Sequence, residues 1–503
     1  MTQRSRYDAI VIGAGHNGLA LASYLQRAGR RTLLVEQASR VGGMTSTCEP
    51  MLPGYRHNPH ANFLAYQSVS PIMADLRLRE RGLLTLTPEV QHAIAFADGR
   101  PPVVVHRKDR DACTARSMAA HSARDAAAFL DLRRRVDGLT PSLRDVLFRP
   151  LSEIGIAAHR DAVLQAFRGV SGIEQTGTRG GAAVIDALFE SPEVRTLFYL
   201  LAIEYGASLT QPGNDLAFLG LVLWMIGGRE VPLGGMQRFA DALHAAAREH
   251  GVDVRTSSPV TRIIVESGRV SGVEMAGKRV GAPLVVSSLG LRQTFNELLD
   301  AQALGTGDRQ AAATTGAQPT PSIASQAFAL REPPAYRSAR WDPDLDRCVQ
   351  TFIGFDTPAD VLAQERDLAM GVLPPPRASV RVPSLWDPGM APRGCHVAGA
   401  DSHFPHAASL SDDEWGEIEA IYNDALLDTW REAAPNMHRD NVIASHFARP
   451  QAGDRQVVLR CGSQYRTSID GLWLCGTATY PGGGVHGACA INAFQDITGQ
   501  SLQ

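Results

Sequence analysis

The chain opens with two short apolar runs, Ala9-Ile-Val-Ile12 and Leu33-Leu-Val35, and between them Leu19, Leu21, Ala22 and Leu25 recur at helical spacing up to Gly29. A run that is apolar at every position is buried on both faces, as strands of a parallel sheet are. The pattern therefore predicts strand, glycine turn, amphipathic helix and strand.

The rest of the chain changes pattern four times. Residues 71–225 read as mainly helical, with Arg-rich solvent faces at 124–135 and an apolar stripe at Val194, Leu197, Phe198, Leu200 and Leu201. An amphipathic helix opens near Val231-Pro-Leu-Gly-Gly-Met236 and ends near Gly251. Short strands follow at 252–255, 260–265 and 269–273, the last two joined by a turn at Glu266-Ser-Gly-Arg269, and Leu284-Val-Val-Ser-Ser288 is another buried strand. Residues 301–324 are small and polar with little periodicity, the mark of a mobile loop. Residues 325–455 mix short strands, Pro-rich turns and one clear helix across 412–434. A last strand ends at Cys475-Gly476 and feeds the glycine-rich start of a final helix.

Glycine placement gives the first strand a function. In Gly13-Ala-Gly-His-Asn-Gly18, Gly13 permits the tight turn, Gly15 lets backbone approach a pyrophosphate, and Gly18 lets the helix pack closely on the sheet. The helix start directs free N–H groups at the phosphates. Glu36, ending the second strand, suits the hydroxyls of a ribose. Gly42-Gly43 allow a second close approach, which favours a long cofactor such as FAD. The distant Gly482-Gly-Gly-Val-His-Gly487 segment is read as the cap on the flavin's pyrimidine end, where helix-start dipoles stabilise negative charge.

These elements predict an α/β fold: a Rossmann-type FAD-binding domain interleaved with a mixed α+β substrate domain. The FAD-binding parts are expected at 1–70, 230–297 and 456–503, and the substrate or cap parts at 71–229 and 298–455. A chain of 503 residues is too long for one ordinary core, which agrees.

Composition removes several classes of function. A net charge of −3 gives no reason to expect nucleic acid. Seven cysteines without metal-binding spacing argue against a zinc site or disulfide scaffold and fit reduced, cytoplasmic thiols. The N-terminus enters its first strand too soon for a signal peptide. The longest apolar run, residues 216–228, is shorter than the about 20 residues needed to cross a bilayer. It reads as a core helix, with peripheral membrane contact as the other reading.

Candidate acid–base groups are few. His57 and His60 form one HxxH and His403 and His406 another, but a proline interrupts each, so neither predicts a metal pair and no metal is expected. His57, in the segment leading towards the flavin, and His60 are the candidate proton carriers. Tyr480 and His486 flank the flavin-end glycines and are candidates for orienting substrate. Cys475 reads as a buried structural thiol.

Taken together, the N-terminal glycine cradle, Glu36 with Gly42-Gly43, Pro232-Leu-Gly-Gly-Met236, the Val260 strand and Leu474-Cys-Gly-Thr-Ala-Thr-Tyr-Pro-Gly-Gly-Gly-Val-His-Gly487 resemble the phytoene desaturase-like flavoproteins. That group includes carotenoid desaturases and isomerases and retinol saturase. The resemblance implies FAD, an amine oxidase-like fold, and hydride transfer from an apolar carbon skeleton to flavin N5. It would put Glu36 on the adenosine ribose, and Gly13, Gly15, Gly18 and Gly43, with Gly42 and Met44 on the same arm, at the phosphates. Val260 would meet the adenine through its backbone, and Gly476, Gly484 and Val485 the phosphate and flavin side. The chain departs from the pattern at Gly487-Ala-Cys-Ala-Ile-Asn492, where many relatives have a further glycine and an arginine.

The implied function is oxidation or isomerisation of a hydrophobic, unsaturated or cyclic small molecule, with oxygen, a quinone or NAD as electron acceptor and oligomerisation open. A flavin amine oxidase is the nearest alternative. Such enzymes often have a lysine linked through water to the flavin, and here the two lysines, Lys108 in a strand-to-turn of the cap and Lys278 in an exposed turn, match no such motif. A non-catalytic FAD-containing partner in a complex is the third reading.

Overall fold

The computed structural model describes residues 7–64, 70–138, 144–145, 147–154, 180–204, 206, 208–212, 226–314, 322–406, 410–450 and 465–501. Its central element is a five-stranded, wholly parallel sheet in the order Leu472–Leu474, Leu284–Ser287, Ala9–Ile12, Thr32–Val35, Asp253–Arg255. The first apolar run lies in the middle, buried at every residue. Strands distant in sequence complete the sheet on both sides.

That assembly changes the character of the first helix, His16–Arg27. An amphipathic helix is expected, yet every residue from His16 to Leu25 is buried. The cause is two further helices, Gln237–Glu249 and Ala488–Thr498, which pack along it and cover the side that would otherwise meet water. Tyr24 meets Phe494 with ring centres 5.7 Å apart.

A three-stranded antiparallel sheet, Lys278–Gly281, Arg269–Met275 and Val260–Glu266, stands beside the parallel one. The expected turn joins the last two, with Ser267 at φ 51° and Gly268 at φ 77°. That pair of left-handed residues suits a two-residue hairpin. Lys278 is exposed, as expected, but lies in an outer strand rather than a turn.

The second large sheet has seven strands in the order Val442–Ala448, Ser322–Leu330, His396–Phe404, Ala378–Arg381, Gln350–Ile353, Val90–Ile94, Val103–His106. The last two overturn the mainly helical reading of that part of 71–225. Short apolar runs fit either structure, and here the parallel partner Gln350–Ile353 settles it. The helix Asp412–Ala433 covers one face, burying Trp415, Tyr422 and Trp430 against Phe328, Phe404 and Phe447.

Two further expectations are corrected. The segment 301–324 is not a featureless loop: it holds the helix Thr306–Thr314 and the start of the Ser322 strand. Asp308 anchors that helix by accepting from the backbone N–H and hydroxyl of Ser468 at 2.7 and 2.6 Å. In the helix Ala123–Asp137, Arg133 is buried rather than solvent-facing, because Asp111 and Asp137 lie 3.2 and 3.5 Å from its guanidinium. Most of the apolar run 216–228 lies outside the described residues. Among the described residues no helix is long and apolar enough to cross a membrane.

Candidate functional site

The glycines of the first turn divide into two kinds. A Cβ on Gly18 would lie 2.0 Å from the Gly13 carbonyl oxygen, and one on Gly13, at φ +92°, would lie 2.6 Å from Ser288 Oγ. Both are required by packing. Gly15 differs: its backbone is extended at φ −70°, and nothing lies within 4 Å of where its Cβ would be. Its open face, just before the first helix, is where backbone can meet a pyrophosphate.

A second arm closes on this turn. Gly42, at φ +129°, donates to the Ala14 carbonyl at 2.9 Å, and a Cβ on Gly43 would lie 3.5 Å from Gly15 Cα. The Gln237 amide holds the arm through the Val41 carbonyl at 3.0 Å. Met44 is partly exposed, and its carbonyl accepts from Ala61 at 3.1 Å.

Glu36 is fixed across the turn, its two carboxylate oxygens accepting from the Ala14 and Ala38 N–H groups at 2.8 and 2.9 Å. The Glu36 carbonyl accepts from Ser258 at 2.8 Å, which places the beginning of the Val260 strand beside the acid. The ribose-side and adenine-side candidates are thus neighbours.

The last glycine segment is joined to the first by one hydroxyl. Ser288 Oγ donates to the carbonyls of Ile12 and Gly13, both at 2.9 Å, while a Cβ on Gly476 would strike the Ser288 carbonyl oxygen at 2.5 Å. Gly482, Gly484 and Gly487 all have positive φ, at 100, 122 and 71°, and the last helix starts directly after them. Val485 is buried, and the Cβ position of Gly483 faces open space.

His486 is committed to this architecture. Its Nδ1 accepts from the Ala488 N–H at 3.0 Å, its Nε2 faces the Gly483 carbonyl at 3.3 Å, and its own carbonyl accepts from Ser70 at 2.7 Å. Burial holds its pKa down at about 4. His16, a residue inside the first motif that its spacing does not single out, meets it: burial and the neighbouring His486 push the His16 pKa down to about 3, against a smaller upward pull from a backbone contact with Gly484. Ser288, Gln237 and His16 are the site residues that motif reading misses. Only the variable position within Gly13–Gly18 could have flagged the last.

The other candidates are spread more widely. Tyr480 is buried, and its carbonyl accepts from the Tyr465 hydroxyl at 2.7 Å. His57 is buried in an antiparallel bridge with Cys48, and burial, aided by His446, lowers its pKa to about 4. His60 is half-buried close by, its carbonyl accepting from Asn62 at 2.9 Å. Burial pushes the Cys475 thiol well up, as suits an inert side chain. Among the described residues no group of three or more His, Cys, Asp or Glu could hold a metal ion.

An open glycine face, a pinned acid at the second strand's end and a second glycine segment tied to the first fit FAD. The comparisons agree. A family model described as FAD binding domain matches residues 8–318. The chain is 28% identical to rat pyridine nucleotide-disulfide oxidoreductase domain-containing protein 2, over 98% of this chain and 94% of that one. It is 25% identical to one of the component chains of limonene dehydrogenase from Castellaniella defragrans, over 99% and 95%. It is 23% identical to a lycopene-forming phytoene desaturase of a Paracoccus species, over 95% and 94%. A solved structure of an engineered putrescine oxidase shares the fold, with a TM-score of 0.60 at 14% identity, covering 98% of this chain and 97% of that one.

Proposed function

We propose that this chain, which belongs to the FAD-binding family of oxidoreductases matched by residues 8–318, dehydrogenates or isomerises a hydrophobic, unsaturated or cyclic substrate. The observation that carries the reading is the meeting of both glycine-rich segments on Ser288, which joins the phosphate side of the cradle to the segment assigned to the flavin. FAD bound there supplies a two-electron acceptor for hydride removed from carbon.

The chain's own residues do the rest. Gly15, Gly42 and Gly43 bring backbone to the phosphates, Glu36 accepts from the ribose, and the Val260 strand lies along the adenine. Met44, Gly476, Gly484 and Val485 continue the cradle towards the substrate. His486 orders the start of the last helix, and Tyr480 and His60 line the approach. His57 stays neutral at physiological pH, and because burial lowers its pKa to about 4 it is a weak base, so the proton that accompanies hydride loss leaves to water. An apolar cavity would keep water away from the reacting carbon. Peripheral membrane contact belongs to the proposal, because an apolar substrate partitions into lipid.

Amine oxidation ranks below this reading. Lys108 Nζ faces Asp137 at 3.3 Å beside the cap helices, and Lys278 is exposed on an outer strand, so neither is placed among the glycine segments.

Glu36→Ala should weaken flavin retention by at least about tenfold, because a charged acceptor for hydrogen bonds contributes about 1.5–3 kcal/mol. Flavin fluorescence released on dilution measures it. The function itself is tested by anaerobic bleaching of the visible flavin band. Apolar alkene precursors should bleach it and amines should not, after which oxygen, quinones and NAD are compared as reoxidants. Bleaching by amines alone would reverse the assignment.

A further inference from the structure

The first turn of the helix His16–Arg27 carries more than bare backbone. Its first internal hydrogen bond runs from the Leu19 N–H to the Gly15 carbonyl at 3.0 Å, so the N–H groups of His16, Asn17 and Gly18 are left for the phosphates. Two polar side chains stand on the same turn. His16 is 8% exposed and Asn17 4%, and neither His16 Nε2 nor Asn17 Oδ1 has a hydrogen-bond partner among the described residues. Buried polar groups are normally bonded, so two adjacent exceptions at a binding turn mark a place where a ligand supplies the partner.

Phosphate alone does not satisfy them. A phosphate that gathers the free N–H groups offers only acceptor oxygens, whereas the Asn17 amide oxygen needs a donor. A hydroxyl both donates and accepts, so it meets the Asn17 amide and the His16 imidazole in either tautomer. Charge points the same way. Burial and the neighbouring His486 keep the His16 ring neutral, so it brings no cation to a phosphate.

The position of His16 says which hydroxyls these are. It follows Gly15, whose open face meets the pyrophosphate, and its ring lies beside Gly484 and His486 of the segment assigned to the flavin. In FAD the part that joins the pyrophosphate to the flavin ring is the ribityl chain, which carries hydroxyls along its length. The cofactor's other hydroxyls, on the adenosine ribose, belong to Glu36 at the end of the second strand. The turn therefore faces the ribityl side of the phosphates.

We propose that the side chains of His16 and Asn17 bind the ribityl chain of FAD through its hydroxyls, as cofactor-binding groups beyond the glycine cradle. The inference rests on the reading above that FAD occupies this cradle. A grip midway along the cofactor fixes how far the flavin ring stands from the phosphates, and positioning of that kind governs hydride transfer. It also favours a flavin over a nicotinamide dinucleotide, whose second ring is carried on a closed ribose.

The probes are FAD and its 2′-, 3′- and 4′-deoxyribityl analogues, titrated into the flavin-free full chain and followed by flavin fluorescence. At least one analogue should bind more weakly than FAD by at least about fivefold, the loss expected when a buried hydrogen-bonding partner is left unmatched. His16→Phe keeps a ring of similar shape and removes both nitrogens. The thermal midpoint of the flavin-free chain should then hold or rise, because an unbonded buried polar group gives way to an apolar one, while FAD affinity falls by at least about fivefold and the gap between FAD and that analogue closes. Asn17→Ala, a change that suits a helix, is the second variant and should narrow the gap for at least one analogue with the midpoint retained. Equal binding of FAD and every analogue by the unaltered chain, or an undiminished gap in a folded variant, would overturn the ribityl site and leave the FAD reading standing. Failure of the unaltered chain to bind FAD would overturn both.

Discussion

Gly18→Ala should yield a chain that neither folds stably nor holds flavin, whereas Gly15→Ala should fold normally and emerge colourless. The contrast follows from what each added methyl meets. At Gly18 it would sit 2.0 Å from the Gly13 carbonyl oxygen, inside the turn that joins the central strand to the first helix. Overpacking usually costs about 1–3 kcal/mol, and a backbone atom at this distance cannot step aside as a flexible side chain would. The cost here therefore exceeds that usual range, and it is large against a net stability of about 5–15 kcal/mol.

At Gly15 the methyl meets nothing, and the backbone is already in a conformation that alanine adopts. The substitution should raise the apoprotein's stability by about 0.4–1 kcal/mol through the unfolded chain. It would also occupy the face reserved for the pyrophosphate. Thermal midpoint and flavin-to-protein absorbance ratio separate the two effects. A yellow Gly15→Ala enzyme with full flavin content would sink the assignment of that face.

Acidification from pH 7 towards 4 should destabilise the fold steeply. In the folded state His16 has a pKa of about 3 and His57 and His486 about 4, each lowered chiefly by burial. In the unfolded chain histidine titrates near 6.5. Above that value all are neutral in both states and none of the stability is lost. As pH falls below it, the unfolded state binds protons that the folded state refuses. Each histidine then removes about 1.4 kcal/mol per pH unit until its own folded pKa is reached. Three such groups acting together approach the whole net stability of an ordinary domain, and the buried His92 shifts in the same direction. Thermal midpoints at pH 7.5, 6.5 and 5.5 test this, and His16→Asn should flatten the slope. A midpoint unmoved down to pH 5 would contradict it.

The cofactor cradle is readable in sequence because its demands are local: a glycine at each tight approach and an acid at a fixed remove. The hairpin at Ser267-Gly268 is readable for the same reason. The strands Val90–Ile94 and Val103–His106 are not, since a few apolar residues fit either structure and their deciding partner, Gln350–Ile353, is remote in the chain. Arg133 misleads because its charge suggests water, while Asp111 and Asp137 make burial tolerable. Within the site, Ser288 carries no motif. Its importance arises from the strand before it lying beside Ala9–Ile12, which brings its hydroxyl to two carbonyls of the first turn.

The strand Leu284–Ser287 has one neighbour near the N-terminus and the other at Leu472–Leu474, and this order sets a timetable for biosynthesis. While the roughly 185 residues between them are being added, at about 5–20 residues per second, the ribosome holds a chain whose sheet ends in an uncovered apolar edge for about 10–40 seconds. The residues that seal that edge also carry the flavin-end glycines. Cofactor capture therefore waits until Leu472–Leu474 and the glycines after it have been made.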